Sequence, residues 1–222
     1  MWTLIQNRAT RLLLLATLAS MAGCMSLSRD APPQRHYVLG SGATPQALSL
    51  SAGVAQPADS TAPLIGLRLP RVADYLASPF IVVRHGVHQV EFSEYHRWGE
   101  DLGHAINRTV SGLLAELAPT HRIVTAPWPG GASPDRVIQL HILRFEGVKT
   151  EHEESPTGEA HVLATWEILR PLDGSLLARG TVEVREDGWS VGDFDALVSL
   201  LDEGLRAVAE ELAVHLTGAP SP

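Results

Sequence analysis

Hydrophobic residues recur at steps of three and four in two segments of the chain, which is the spacing of one face of an α-helix. The first stripe comprises Trp98, Leu102, Ile106, Val110, Leu113, Leu114 and Leu117, and Pro119 closes it. The second follows Asp193, a favourable N-cap residue, and stops at Gly218; it comprises Phe194, Leu197, Val198, Leu201, Leu205, Val208 and Leu212. The sequence therefore predicts two amphipathic helices.

Elsewhere apolar and polar residues alternate with the period of a β-strand. Three long segments, "RVIQLHILRFEGV", "EAHVLATWEIL" and "SLLARGTVEVRE", form a predicted meander joined by a polar tip and the turn "PLDG". Shorter strands are predicted at "LIGLRLP", which stops at Pro70, at "HRIV", and at "FIVVR" and "VHQVEF" around a turn at His85-Gly86. One apolar face of the meander carries Ile138, Leu140, Ile142, Ala160, Val162, Ala164, Trp166 and Ile168.

Two one-sided helices and a one-sided meander can bury their apolar faces only against each other. The predicted fold is an α+β two-layer sandwich, with both helices on one face of a largely antiparallel sheet. Trp98 and Trp166 lie on the apolar faces and are predicted to be buried. A single domain spans residues 64–217, and residues 218–222 form a tail. Residues 24–63, rich in Ser, Ala, Gly and Pro, read as a flexible tether. Its short island "RHYVL", residues 35–39, is predicted to be an edge strand that docks on the later sheet.

The N-terminus carries an uncharged run of 11 residues, Leu12 to Ala22, after Arg8 and Arg11. This run is too short to span a bilayer and has the length of a secretory signal. It ends in Ala-Gly before Cys24, which resembles a bacterial lipobox. We therefore predict a lipoprotein signal peptide at residues 1–23 and an acylated Cys24.

Acylation would place covalent diacylglyceryl and N-acyl (palmitate-type) chains on Cys24, and two or three chains anchor a protein stably. Asp is absent after Cys24, where Met25 and Ser26 stand, which favours the outer membrane with the protein facing the periplasm. Two alternatives are an ordinary cleaved signal with a spare thiol and an N-terminal core helix.

Charge and motifs restrict the chemistry. The chain has 17 basic and 25 acidic residues, a net charge of −8, which argues against nucleic-acid binding. No phosphate-binding loop, dinucleotide fingerprint or nucleophile elbow occurs. His85 and His88 in "HGVH" are too few ligands for a structural metal site, and "EHEE", residues 151–154, reads as a solvated loop tip. We expect no enzyme activity, no metal and no cofactor beyond the attached lipid.

The stretch "LPRVADYLASPFIVVRHGVHQVEFSEYHRWGEDL", residues 69–102, resembles the PqiC/YmbA family of ABC-type transport auxiliary lipoproteins. The early "HYVL" and the later "VIQLHILRFEG" and "LATWEI" also fit this family's strands. "LASP" and "RWGED" depart from its usual pattern. The matching positions are Pro70, Tyr75, Leu76, Pro79, Val82, Arg84, Arg97, Trp98, Glu100 and Leu102.

The resemblance implies a non-enzymatic auxiliary component of an intermembrane lipid transport system that supports envelope integrity. Its implied partners are a mammalian-cell-entry (MCE) domain protein and an inner-membrane transporter subunit, with the homo-oligomeric state left open. One alternative is a lipoprotein that binds a lipid or small hydrophobe without an MCE partner, which would need a dry cavity between sheet and helices. Another is an envelope enzyme, which would need a nucleophile and a base.

The connection "PRVADYLASP", from Pro70 to Pro79, is a candidate docking segment. Connections lie at the surface and often carry function, yet this one keeps Val72, Tyr75 and Leu76. Tyrosine is enriched in the cores of protein interfaces. We predict partner binding through these three residues; the alternative is that they pack on the domain's own core.

Overall fold

The computed structural model describes residues 32–40, 61–150 and 157–218, and its elements belong to one compact unit, Gln34–Pro222. Within these ranges nine strands form one sheet and two α-helices pack on it. The strands are β1 Arg35–Tyr37, β2 Leu64–Leu67, β3 Arg71–Val72, β4 Phe80–His85, β5 Gln89–Trp98, β6 Arg122–Thr125, β7 Arg136–Lys149, β8 Thr157–Leu169 and β9 Leu176–Ser190. The helices are α1 Leu102–Leu117 and α2 Phe194–Thr217.

Both helices begin where an aspartate caps them. The Asp101 carboxylate accepts the backbone N–H of His104 at 3.0 Å, and that of Asp193 accepts the N–H of Ala196 at 3.1 Å. The Asp193 cap and the end at Gly218 confirm the prediction for α2. The predicted start of α1 at Trp98 is wrong, because Trp98 is the last residue of β5. Trp98 is buried, as the apolar stripe predicted, but it belongs to the strand that precedes the helix.

Strand β7 is the centre of the sheet. Along one edge it pairs in parallel with β2, β3 and β4 in turn, and along the other it pairs antiparallel with β8 over its whole length. Pro70 separates β2 from β3, because proline has no N–H for the ladder. The three antiparallel pairings, β4–β5, β7–β8 and β8–β9, are the long ones, so the predicted α+β class with a largely antiparallel sheet is confirmed.

The core lies between the helices and one face of the sheet. The predicted apolar faces of β7 and β8 point there, and Trp166 is 1% and Trp98 5% exposed, so their predicted burial is confirmed. Glycines make room for the largest side chains. A Cβ on Gly147 would lie 2.7 Å from Cζ3 of Trp189, and one on Gly180 would lie 2.5 Å from Cζ2 of Trp166. The two indoles therefore fill the space between layers.

The island near residue 35 docks on the sheet as predicted. Strand β1 pairs in parallel with the end of β5, and Leu39 is buried in the core. The backbone N–H of Gly40 donates to the Asp202 carboxylate at 2.9 Å, and Arg108 Nη2 donates to the carbonyl of Leu39 at 3.0 Å. These contacts fasten the chain to the sheet and to both helices.

The signal peptide, Cys24, residues 41–60 of the predicted tether and the last four residues lie outside the described residues. Within the described ranges, neither helix is long and apolar enough to cross a bilayer.

Candidate docking surface

The face of the sheet that points away from the helices, called here the outer face, changes character at a β-bulge in β7. Pairing with β8 shifts register between Ile142 and Arg144. Before the bulge His141 points to the outer face; after it Arg144 and Glu146 do, because side chains alternate along a strand. The bulge therefore brings two charged side chains to the middle of the outer face.

The segment Pro70–Pro79 runs along the bulge. The N–H of Ala73 continues the pairing of β3 with a bond to the carbonyl of Ile142 at 2.9 Å. One 3-10 turn, Asp74–Leu76, follows, and its Tyr75 hydroxyl donates to the carbonyl of Leu143 at 3.1 Å. Backbone and side-chain bonds thus hold the segment against β7 instead of leaving it as a loose loop.

The three residues predicted to bind a partner occupy different environments. Leu76 is only 1% exposed and belongs to the core, as the alternative interpretation expected. Val72 and Tyr75 are partly buried against the same core and keep accessible surface. A partner could therefore contact Val72 and Tyr75 directly, whereas Leu76 would only support the segment. Partner binding itself stays a prediction.

Beneath the segment lies an ion cluster centred on Glu146, whose side chain is completely buried. Arg84 Nε lies 2.5 Å from Glu146 Oε1, and Arg144 Nη1 lies 3.2 Å from the same oxygen. The Arg84 guanidinium also lies 5.8 Å from the centre of the Tyr75 ring, within cation–π range. One buried carboxylate therefore fixes two arginines, one of which contacts the predicted docking residue.

Tyr75 and Arg84 keep their protons at neutral pH. Burial raises the pKa of Tyr75 to about 12, and the Glu146 charge contributes. The hydrogen bond with Glu146 raises the pKa of Arg84 above its usual range. Tyr75 therefore remains a neutral phenol and Arg84 a cation, which suits recognition and not proton transfer.

His161 lies beside the cluster on β8, opposite Glu146 in register. It is 1% exposed, and its Nε2 lies 3.0 Å from Glu183 Oε1. Burial lowers the pKa of His161, and the charges of Arg185 and Arg144 lower it further. Nδ1 is buried without a hydrogen-bond partner among the described residues.

Sequence reasoning missed Glu146 and His161 because both stand at polar positions of alternating strands, where exposure is the normal expectation. The bulge, which has no reliable sequence signal, and the covering segment bury them. The arginine at the end of "FIVVR", Arg84, was the one available indication of a charged site here.

The sequence candidates for metal binding have other roles. His85 Nε2 lies 2.7 Å from Glu91 Oε2, while His88 is exposed in the turn. Lys149 and the hydrogen bond with His85 help hold the pKa of Glu91 low, the hydrogen bond having the larger effect. Across the described ranges, no group of three or more His, Cys, Asp and Glu is placed to hold a metal ion. Residues 151–154 lie outside these ranges.

Comparison with solved structures agrees with this architecture. Protein XCC0632 from Xanthomonas campestris, a DUF330 protein, is similar with a TM-score of 0.58 and 17% identity, covering 70% of this chain and 86% of that one. A crystal structure of an uncharacterized protein gives a TM-score of 0.56 and 18% identity, covering 70% and 92%. At these identities the likeness concerns the fold alone.

Among curated proteins, no match reaches significance. The model of one protein family, described as ABC-type transport auxiliary lipoprotein component, matches residues 47–213. This range covers more than half of the 222 residues and holds every strand from β2 to β9, helix α1, all but the last four residues of α2, and the candidate docking surface. The chain therefore belongs to the family of ABC-type transport auxiliary lipoprotein components.

Proposed function

We propose that this auxiliary lipoprotein is anchored in the outer membrane, faces the periplasm and serves an intermembrane lipid transport system with an MCE-domain protein and an inner-membrane transporter subunit. In this role it supports envelope integrity without catalysis. The observation that carries the proposal is the family match over residues 47–213. The lipobox-like junction at Cys24 supports the anchor, and the residues after it support the outer membrane.

The protein acts by docking. Val72 and Tyr75 offer apolar surface on a segment that backbone bonds hold in place, so binding would order little additional chain. Tyrosine and arginine are over-represented among residues that dominate binding energies, and here Tyr75 lies against Arg84. The surface is therefore preformed, with an aromatic anchor beside a fixed cation.

The alternative, a lipid carrier acting without an MCE partner, finds less support. Such a carrier needs space between the layers, and that space is occupied by the side chains of Trp166, Trp189 and Phe145, each at most 1% exposed. Docking is the function that the packing of the domain favours.

Recovery of partner protein from membranes tests the docking surface. We expect Tyr75→Ala to reduce co-purification of the transport partners at least fivefold, since loss of a hot-spot side chain costs about 2 kcal/mol or more of binding. Tyr95→Ala is the matched control, because Tyr95 is also half-buried but lies on β5. Both variants are first checked for an unfolding midpoint near that of the wild type. Undiminished recovery with Tyr75→Ala would remove this surface from the proposal.

The anchor is tested separately. Cys24→Ser should leave uncleaved precursor or a mislocalised protein, and mass spectrometry of the wild type should find an acylated Cys24 at the N-terminus. A Cys24→Ser protein that is cleaved normally and still fractionates with the outer membrane would contradict the lipoprotein anchor while leaving the docking test unaffected.

A further inference from the structure

The outer face carries a second feature, an open depression of about 420 Å³ formed by β7, β8 and β9. His141, Thr165 and Thr181 form one cross-strand row, and Glu167 and Arg179 form the next. The side chains of Thr165 and Thr181 are short, whereas those of the surrounding His141, Glu167 and Arg179 are long. The surface of the sheet is therefore lowest over the two threonines. The depression is therefore formed by differences in side-chain length and not by a gap between strands.

The floor of the depression is backbone. Trp166 and Gly180 also border it, but alternation directs their Cβ positions to the helix side of the sheet. There the Trp166 ring contacts His215 of α2, with ring centroids 4.6 Å apart. Packing on the core side thus keeps the floor flat and leaves the polar side chains as walls.

The walls are polar and unengaged. In the described part of the chain, no hydrogen bond or ion pair engages the side chains of His141, Thr165, Glu167, Arg179 or Thr181. Glu167 and Arg179 are opposite each other in register and yet are not joined. The neighbouring ion cluster differs, because each of its charged groups has a partner. These five side chains are therefore available to an external ligand.

The charge of this surface opposes that of the chain. Arg71 on β3 is aligned with His141 on β7 and is exposed. Together Arg71 and Arg179 outweigh the one carboxylate, Glu167, on a protein whose net charge is −8. Guanidinium groups and hydroxyls are the donors that carboxylate and phosphate oxygens prefer. The depression is therefore suited to an oxyanion.

Apolar surface adjoins the charged end. Leu177 follows Arg179 toward the β8–β9 turn and is 43% exposed, and Leu176 beside it is 47% exposed. Leu172, in the turn itself, is 93% exposed. The Asp173 carboxylate accepts the N–H of Ser175 at 3.0 Å, which stabilises the turn. A patch of exposed leucines therefore begins near Arg179, where the pairing of β9 with β8 shifts register at Leu177.

We propose that this depression binds the phosphate or carboxylate headgroup of an anionic amphiphile, whose apolar chain lies over Leu177 and Leu176. Arg179 and Arg71 attract the headgroup, the two threonine hydroxyls and His141 orient it, and Glu167 opposes it. The site goes beyond the proposed function and does not depend on it, because it needs no protein partner and does not use Tyr75. It adjoins the docking segment through Arg71, which directly precedes Val72.

Calorimetric titration of the mature chain, residues 24–222 with Cys24→Ser, tests the site. This protein keeps the whole compact unit Gln34–Pro222 and lacks only the predicted acylation site. The probe is dodecyl phosphate below its critical micelle concentration. We expect it to bind at least about tenfold more tightly than inorganic phosphate, since a buried apolar chain adds affinity. Dodecyltrimethylammonium, a cation with the same chain, should not bind.

Two charge variants should change the affinity for dodecyl phosphate in opposite directions. Arg179→Gln should weaken dodecyl phosphate binding about tenfold, because a charge-assisted hydrogen bond is lost. Glu167→Gln should strengthen it severalfold, because a repulsive charge is removed. Arg206→Gln on α2 makes the same change of charge on another surface and should leave binding unchanged. Leu177→Ser should weaken dodecyl phosphate but not inorganic phosphate. Thermal unfolding confirms that each variant is folded, and Thr181→Val replaces Arg179→Gln if the latter is not.

Three results would overturn the proposal. Equal binding of inorganic and dodecyl phosphate would mean a simple anion site with no role for the leucines. Weaker binding of dodecyl phosphate by Glu167→Gln would mean that Glu167 contributes to binding instead of opposing it, contrary to the assigned arrangement of charges. Equal losses in Arg179→Gln and Arg206→Gln would mean that binding follows overall charge and not this depression. None of these results bears on partner recovery with Tyr75→Ala, so the two proposals fail independently.

Discussion

The buried carboxylate of Glu146 gives a sharp test of what holds the outer face together. Glu146→Gln keeps the shape of the side chain and removes its charge. The side chain is completely buried and contacts Arg84, which is 13% exposed, and Arg144, which is 34% exposed. The substitution leaves two guanidiniums beside a neutral amide that can accept only part of their hydrogen bonds.

The expected cost is about 2–4 kcal/mol, below the 3–5 kcal/mol of deleting one partner of a buried pair, because the amide oxygen still accepts. For a domain of this size, 1 kcal/mol lowers the melting midpoint by about 2–4 °C. Glu146→Gln should therefore lower the midpoint by roughly 4–16 °C in a calorimetric or circular-dichroism melt.

Glu159→Gln is the matched control on the same face. Glu159 lies 2.5 Å from Arg185, which is 51% exposed, so this pair lies in a far more hydrated setting. Such surface pairs contribute about 0–1 kcal/mol, and salt screens them. The Glu146→Gln deficit should persist at about 1 M NaCl, whereas that of Glu159→Gln should fade. If the two variants melt within about 2 °C of each other at low salt, the ion cluster does not stabilise the outer face and the reasoning is wrong.

Three further predictions concern the core, the acid side of stability and the indoles. Gly147→Ala should cost about 1–3 kcal/mol in urea unfolding, because its Cβ would meet Trp189 and Leu197 within 3.0 Å; Gly99→Ala, near the exposed Val38, should cost less. Burial lowers the pKa of His161. Below its unfolded-state pKa of about 6.5, the unfolded chain therefore binds a proton that the folded domain excludes, and the domain loses stability as the pH falls. His161→Gln should therefore lose less stability than wild type between about pH 7 and pH 5, while the exposed His88→Gln follows wild type. In the mature chain, Trp128→Phe should remove most of the iodide-quenchable fluorescence, because Trp98, Trp166 and Trp189 are buried; strong quenching that survives would contradict their burial.

Periodicity predicted the layers of this fold because burial is one-sided in most elements. The stripe of α2 and the alternation of β8 place every predicted apolar residue in the core except Phe194, which is partly buried and packs against it. Trp98 was assigned to the wrong element because a strand end and a helix start can supply residues to the same apolar surface. Asp101, with a carboxylate that caps the helix, was the local signal that separated them.

The partner order of the strands was not predictable in the same way. Strands β2, β3 and β4 line up along one edge of β7 although β5, α1 and β6 separate them from β7 in the chain. Such parallel pairings depend on tertiary packing, and no local pattern encodes them. The same limit applied to the docking segment: Val72, Tyr75 and Leu76 were recognised as unusual for a loop, but only the fold distinguishes the buried Leu76 from the partly accessible other two.

The docking of β1 changes what an anchor at Cys24 would allow. A free tether over residues 24–63 could extend about 130 Å, at roughly 3.3 Å per residue. Pairing of Arg35–Tyr37 with β5 and the bond from Gly40 to Asp202 fix the chain to the body near residue 34. Ten residues then remain between the lipid and the fold, which reach about 35 Å at most. If Cys24 carries the proposed anchor, the domain would work beside its own membrane, and the proposed partner in the opposite membrane would have to extend to meet it. A preformed surface at Tyr75 would suit such an encounter, because the partner would supply the reach and this protein a fixed place to dock.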